Sequence, residues 1–210
     1  MIAEPKNHKW KLLKRSFDLI LSITLILLVF SWFFPIIFML QKIFNPGPIF
    51  YKGKRWGMKG KPFYCYKFRS MIPGENNNGH RITLKGDPRL TAFGFFLRKF
   101  NIDELPQFFN VLRGDMSVVG PRPHDEAENL ILKDELADYM KRHIIRPGIT
   151  GWAQVNGLKG RTSDLTEMQK RTEYDLWYID NWSLWLDLKI VAMTIRQFLR
   201  LNKSNTLNTE

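Results

Sequence analysis

Asp103 and Glu104 are the residues best placed to do chemistry. They stand side by side before the periodic run Leu105, Phe108, Phe109 and Leu112, whose spacing marks one buried helix face. Asn101 and Glu104 have the spacing of a capping box, and Gly114 is a stop signal. Acids in a first helical turn are often there only to complement the helix dipole. Here bases crowd both sides, with Arg98 and Lys99 before the pair and Arg113 and Arg122 after it. A carboxylate at a positive helix end near arginines is expected to stay ionised at neutral pH. Such a group can attack phosphorus while its neighbour holds Mg²⁺, and arginines steady the charge on the transferring phosphoryl oxygens.

Competing chemistries find little support. The four histidines, at 8, 80, 124 and 143, include no H-x-x-x-H pair, and neither a G-x-S-x-G elbow nor a P-loop occurs. The single cysteine, Cys65, excludes an intrachain disulfide framework and reads as a small buried residue. The basic-aromatic stretch 64–70 (YCYKFRS) could suggest nucleic acid. Charge placement argues against that partner. Of the net charge of +12, residues 1–61 supply +9, clustered around an apolar run. Attraction to anionic lipid explains this more simply.

That run, Leu19 to Leu40, holds 22 residues without a charge, long enough to cross a bilayer. No small-x-small cleavage site follows, which argues against a signal peptide. Lys9, Lys11, Lys14 and Arg15 precede it, and Lys42, Lys52, Lys54 and Arg55 follow. Positive charge marks the cytoplasmic side, and a single span would strand one cluster outside. A helix that enters, bends and leaves by the same face satisfies both. Pro35 could supply the bend, with Ser31 four residues earlier bonding a freed backbone group.

The elements that must position the carboxylates follow. Ile49 to Trp56 and Pro62 to Arg69 read as a hairpin around Gly57–Gly60, and 73–81 as a polar loop. Helix is expected from Thr91 with a break near Asn101, over 125–143 as one amphipathic segment, and from Ser163 to Leu201. Residues 146–157 read as a turn-rich loop. Trp177, Trp182 and Trp185 suit either a core or a helix lying in the membrane interface. The fold class is α+β and mainly helical: a re-entrant helix-break-helix segment in 1–42, then a catalytic domain over 43–210 with a short hairpin and interfacial amphipathic helices.

Four stretches follow one another in order: YKFRSM (66–71), GDPRLTAFGFFLRK (86–99), DELPQFFNVLRGDMSVVGPRP (103–123) and RPGITGWAQVNG (146–157). Together they closely resemble the bacterial sugar transferases, small monotopic phosphoglycosyl transferases. The resemblance implies an enzyme on the cytoplasmic face of the bacterial inner membrane, among its phospholipids. It would move a sugar-1-phosphate from a UDP-sugar to polyprenyl phosphate, releasing UMP and starting a lipid-linked glycan. By the same resemblance Asp103 is the nucleophile of a covalent phosphosugar intermediate and Glu104 the Mg²⁺ ligand. Arg98 and Arg122 match arginines suited to phosphates, and Lys67 and Arg69 fall in the same phosphate-site stretch. The family breaks its re-entrant helix at a serine-proline element, whereas Ser31 and Pro35 are separated here by Trp32, Phe33 and Phe34. With 18 residues before the apolar run, the chain resembles the minimal catalytic form. A catalytically inactive membrane-anchored scaffold is the competing reading. A monomer and a homodimer are equally compatible with the sequence, and neither the sugar nor the glycan pathway is legible.

Overall fold

The structure, a computed structural model, describes residues 8–72, 87–159 and 164–206. The expected polar loop at 73–81 lies outside the described residues. The chain opens with α1 (His8–Leu25), a π turn (Ile26–Phe30) and α2 (Ser31–Phe44). Residues Lys9–Phe44 run as one helix of 36 residues, with a mean hydropathy of 2.6 in its most apolar window, enough to cross a membrane by length and composition. The expected break at Pro35 is not made. Leu25, Phe30 and Ser31 all keep right-handed helical dihedrals, and the irregularity falls one turn earlier. Proline lacks an N–H and crowds the carbonyl four residues back, here that of Ser31, yet α2 continues through it. Ser31 N–H reaches back to Ile26 O. Ser31 Oγ donates to Leu27 O at 2.7 Å and Trp32 Nε1 to Leu28 O at 2.9 Å, so side chains serve carbonyls of the disturbed turn.

One stripe of this helix, Asp18, Ser22, Phe30, Phe34, Ile37 and Gln41, is buried, while Ile20, Leu27, Leu28, Trp32, Ile36 and Met39 face outward. The body grips the helix at both ends. Near its start Arg15 donates to Val111 O (2.6 Å) and Leu112 O (2.9 Å), and Lys14 pairs with Asp187 at 2.7 Å. Near its end Gln41 Nε2 donates to Ile49 O and Arg69 O. Between them Phe34 packs on Phe68 and Phe109, and Phe30 on Phe108.

Strands β1 (Phe50–Trp56) and β2 (Pro62–Phe68) form the expected antiparallel hairpin, Phe50 opposite Phe68 and Trp56 opposite Pro62. Helix α3 (Ala92–Lys99) is capped by Thr91 Oγ1, which accepts from Gly94 N. The chain then turns through Asn101 at φ 51 into a 3₁₀ turn, Ile102–Glu104, before α4 (Gln107–Arg113) stops at Gly114, φ 88. Asn101 therefore makes no capping box, because its left-handed backbone aims the side chain away from the following amides. The buried positions of α4 are Gln107, Phe108, Asn110 and Val111, with Leu105, Phe109 and Leu112 only partly covered.

The rest is more broken than its periodicity suggests. The expected helix over 125–143 divides into α5 (Glu126–Glu135) and a 3₁₀ stretch Tyr139–Ile144, separated by an extended Leu136. The loop at 146–157 contains β4 (Gly148–Thr150), paired in parallel with β3 (Ser117–Val119), and a single turn α6 (Trp152–Val155). Helices α7 (Leu165–Asp180) and α8 (Leu184–Thr206) close the fold. Trp182 is partly buried and donates to Asp187 at 3.2 Å, whereas Trp177 and Trp185 are 45% and 77% exposed.

Candidate active site

Three backbone segments converge on the carboxylate pair. Strand β2 carries Lys67, the 3₁₀ turn carries Asp103 and Glu104, and the loop after β3 carries Arg122. Asn110 on α4 fixes their register: its amide accepts from Tyr66 N at 2.9 Å and donates to Tyr64 O at 2.7 Å. That clamp sets Lys67 opposite Glu104. Glu104 Oε1 takes Lys67 Nζ and Arg122 Nη2, each at 2.6 Å, and Oε2 takes Arg122 Nη1 at 3.1 Å. Burial pushes Glu104 up, but the charges and hydrogen bonds of Arg122 and Lys67 outweigh it and hold the carboxyl far below the usual range. The pull of Glu104 likewise raises Arg122.

Asp103 has the opposite surroundings. It is 7% exposed and has no hydrogen-bond partner among the described residues. Burial pushes its carboxyl up to about 6, with Lys67, Arg98 and Arg122 opposing and Glu104 adding to the rise. It is still mainly ionised at neutral pH, though through a weaker hold than a helix end with arginines would give. Arg98 is held by its Nε donating to Ser70 Oγ at 2.8 Å. Gly94 makes that approach possible, since a Cβ there would lie 1.8 Å from Ser70 O.

The structure thus gathers Asp103, Glu104, Lys67, Arg98 and Arg122. It does not bring Arg69 to them. That guanidinium is bound by the carbonyls of Asn45 and Pro46, where it ties the exit of α2 to the hairpin. Ser31 and Pro35 lie in the apolar helix, as described. Arg113 is turned outward onto Tyr66 OH.

Residues that periodicity did not single out stand behind Arg122. Arg142 donates to Arg122 O at 2.9 Å and pairs with Asp175 at 2.6 Å, both fully inside the protein. A cavity of about 130 Å³ shares Lys67 and Arg122 with the carboxylate cluster and runs past Gln107 to His124, Glu128 and Arg171. The sequence signal for this region was the composition of 120–124 (GPRPH), a turn packed with groups able to bind anions.

Fold and site together define a mainly helical protein that holds a split carboxylate pair among fixed cations, next to one long apolar helix. The chain belongs to the bacterial sugar transferase family, whose model matches residues 9–201. It is similar to the UDP-glucose:undecaprenyl-phosphate glucose-1-phosphate transferase of Escherichia coli (strain K12), 49% identical over 185 residues, 88% of this chain and 40% of that one. The UDP-N-acetylgalactosamine-undecaprenyl-phosphate N-acetylgalactosaminephosphotransferase of Aeromonas hydrophila is 43% identical over 187 residues, 89% and 44% of the two chains. The exopolysaccharide production protein PSS of Rhizobium leguminosarum bv. phaseoli is 42% identical over 187 residues, 87% and 93% of the two. The chain spans about two fifths of the length of the first of these relatives.

Proposed function

We propose that this chain transfers a sugar-1-phosphate from a UDP-sugar to undecaprenyl phosphate or a similar polyprenyl phosphate, releasing UMP. The observation that carries the reading is the split pair: Asp103, buried with no hydrogen-bond partner among the described residues, beside a Glu104 locked by Lys67 and Arg122. An Asp103 oxygen attacks the sugar-bearing phosphorus and the bond to the UMP oxygen breaks. UMP leaves with that electron pair. An oxygen of the lipid phosphate then attacks the same phosphorus, and Asp103 is released. The covalent stage keeps two negatively charged substrates from sharing the site. Arg98 and Arg122 would steady the transferring phosphoryl oxygens, as charge-assisted donors do.

Mg²⁺ usually takes one or two carboxylates plus substrate phosphates rather than a full protein cage. Among the described residues no group of three or more His, Cys, Asp or Glu is placed to hold a metal ion. Glu104, whose Oε2 takes a single 3.1 Å bond from Arg122, beside the unpartnered Asp103, fits that sparse mode. When bound, the ion supplies neutralisation of phosphate charge.

The lipid substrate places the reaction at a membrane, and the outward apolar face of α1 and α2 would sit in inner-membrane phospholipid, with the site on the cytoplasmic face. Both ends of that helix hold the same body, which favours an unbroken helix lying along one face of the membrane over a span. The test is UMP release by the protein in nanodiscs with Mg²⁺, undecaprenyl phosphate and a panel of UDP-sugars, alongside Asp103→Asn. Release with one donor, absent in the variant, is expected. A folded protein that releases no UMP from any donor would point instead to a scaffold.

A further inference from the structure

His124 sits at the wall of the cavity beyond Arg122 and is 4% exposed. Its ring is held from one side. Nδ1 lies 3.0 Å from Arg142 Nη1, whose N–H is aimed at it, and the Tyr139 hydroxyl, which has one proton to share between Nδ1 at 2.7 Å and Asn129 Oδ1 at 2.6 Å, packs alongside. A guanidinium can only donate, so Nδ1 accepts and the ring proton is on Nε2. Arg142 cannot rotate away, because Asp175 and the carbonyl of Arg122 hold its other nitrogens. The tautomer is therefore set by a buried ion pair. Burial, then the charges of Arg142, Arg171 and Arg122, hold the imidazole well below its ordinary range and keep it neutral.

Nε2 is buried and has no partner among the described residues. An unpaired buried N–H is a standing cost, and the usual reasons to retain one are a water or a ligand. The cavity favours a ligand oxygen. It is lined by the bases Arg55, Lys67, Arg122 and Arg171 and by the acids Asp125 and Glu128, with His124 among them. Such a mixture suits a ligand that carries hydroxyl or carbonyl oxygens as well as phosphate. We propose that His124 is a specificity-determining residue whose Nε2–H donates to a carbonyl or hydroxyl oxygen of the nucleotide-sugar, on either its uridine or its sugar side. This rests on the transferase reading above, because only that reading puts such a group next to the transferring phosphate.

Two substitutions separate the donor from the packing. His124→Asn sets an amide oxygen near the Nδ1 position and removes the Nε2 donor. His124→Gln sets an amide N–H near the Nε2 position and gives up the Nδ1 contacts. UMP affinity is read by calorimetry, and KM and kcat by UMP release from UDP-glucose and UDP-N-acetylgalactosamine, on the full chain in nanodiscs. The Asn variant should raise Kd or KM roughly threefold to tenfold, as the loss of one hydrogen bond does, with kcat little changed. The Gln variant should recover most of that loss. A weakened UMP affinity assigns the contact to the uridine side, and a raised KM with unchanged UMP affinity assigns it to the sugar. A Gln variant worse than Asn, or two variants that both bind and turn over as wild type, overturns the proposal while wild-type turnover upholds the reaction. Should the variants not fold, the His124 Nε2 proton resonance of the wild type still decides. It should move on adding UMP or UDP-sugar, and a resonance indifferent to both overturns the proposal.

Discussion

Asp103→Asn should abolish turnover and at the same time make the protein more stable. Asp103 is buried, and its carboxyl is pushed from an ordinary 3.8 up to about 6. At about 1.4 kcal/mol for each tenfold change in proton affinity, that gap corresponds to roughly 3 kcal/mol. The folded chain holds this proton more tightly than the unfolded one, so the stability it contributes is complete below about pH 3.8 and is lost as pH rises through about 6. At pH 7 the wild type carries the whole penalty as an ionised, unpartnered carboxylate. Asparagine keeps the shape without the charge. Thermal unfolding in magnesium-free buffer with a chelator should show the variant about 3 kcal/mol more stable at pH 7, a rise of roughly 6–12 °C for a chain of this size. The advantage should shrink to near zero at pH 4. A variant no more stable than wild type at pH 7, or a gain of equal size at both pH values, would refute the account of Asp103 as a strained buried anion.

Further expectations follow from the same geometry. UMP release should fall about tenfold between pH 7 and pH 5 as Asp103 takes up its proton near 6, and a flat acid limb in a stopped-flow or coupled assay would contradict this. Arg122→Met leaves Glu104 with Lys67 alone, so the unfolding midpoint should drop by the equivalent of about 3 kcal/mol and release should be lost. Gly94→Ala puts a Cβ 1.8 Å from Ser70 O, forcing α3 off the hairpin exit and releasing Arg98. Stability should fall by about 1–3 kcal/mol, and unaltered melting would count against that packing. Lys11→Cys and Lys42→Cys should both react with an impermeant maleimide from one side of a vesicle, against a background kept low because Cys65 is buried and its thiol pushed up by burial. Labelling from opposite sides would establish a span.

Local signals read well where one short segment decides the outcome. Gly57 to Gly60 placed the hairpin, Gly114 the end of α4, and the carboxylates with Lys67, Arg98 and Arg122 do converge. The misses fall where side chains or partners outside the local pattern set the conformation, or where an element is too short to carry one. Pro35 suggested a broken helix, yet α2 continues through it, with Ser31 Oγ and Trp32 Nε1 on carbonyls of the π turn before it. Arg69 is two residues from Lys67 and so emerges on the same side of the chain by alternation, but it lies past the last β2 residue, where the Asn45 and Pro46 carbonyls take its guanidinium. The β3–β4 pair is three residues long on each side, too short to leave a period in the sequence. Nor does any pattern announce that Arg142, twenty residues from Arg122, holds its carbonyl.

In the proposed reaction the adjacency of Asp103 and Glu104 is what divides their roles. Two carboxylates next to each other would normally titrate as a pair and repel. Asn101 in its left-handed conformation and the tight 3₁₀ turn after it send the two side chains to different surroundings. Glu104 meets two cations and becomes a fixed anion that never takes a proton near neutral pH. Asp103 is buried near Lys67, Arg98 and Arg122 without a hydrogen bond to any of the described residues, and keeps a higher proton affinity. Pairs whose environments push their pKa values apart mark a division of roles. A carboxylate tied into the Lys67–Arg122 clamp would have to break strong hydrogen bonds to reach phosphorus, which is why the proposed reaction gives the attack to Asp103. Exchanging the two residues, Asp103→Glu with Glu104→Asp, keeps the charge and the order of elements but shortens the clamp and lengthens the attacking arm. That double variant should fold, bind UMP and release none from a UDP-sugar. If it turned over at more than a few per cent of wild type, the roles assigned to the two positions would not stand.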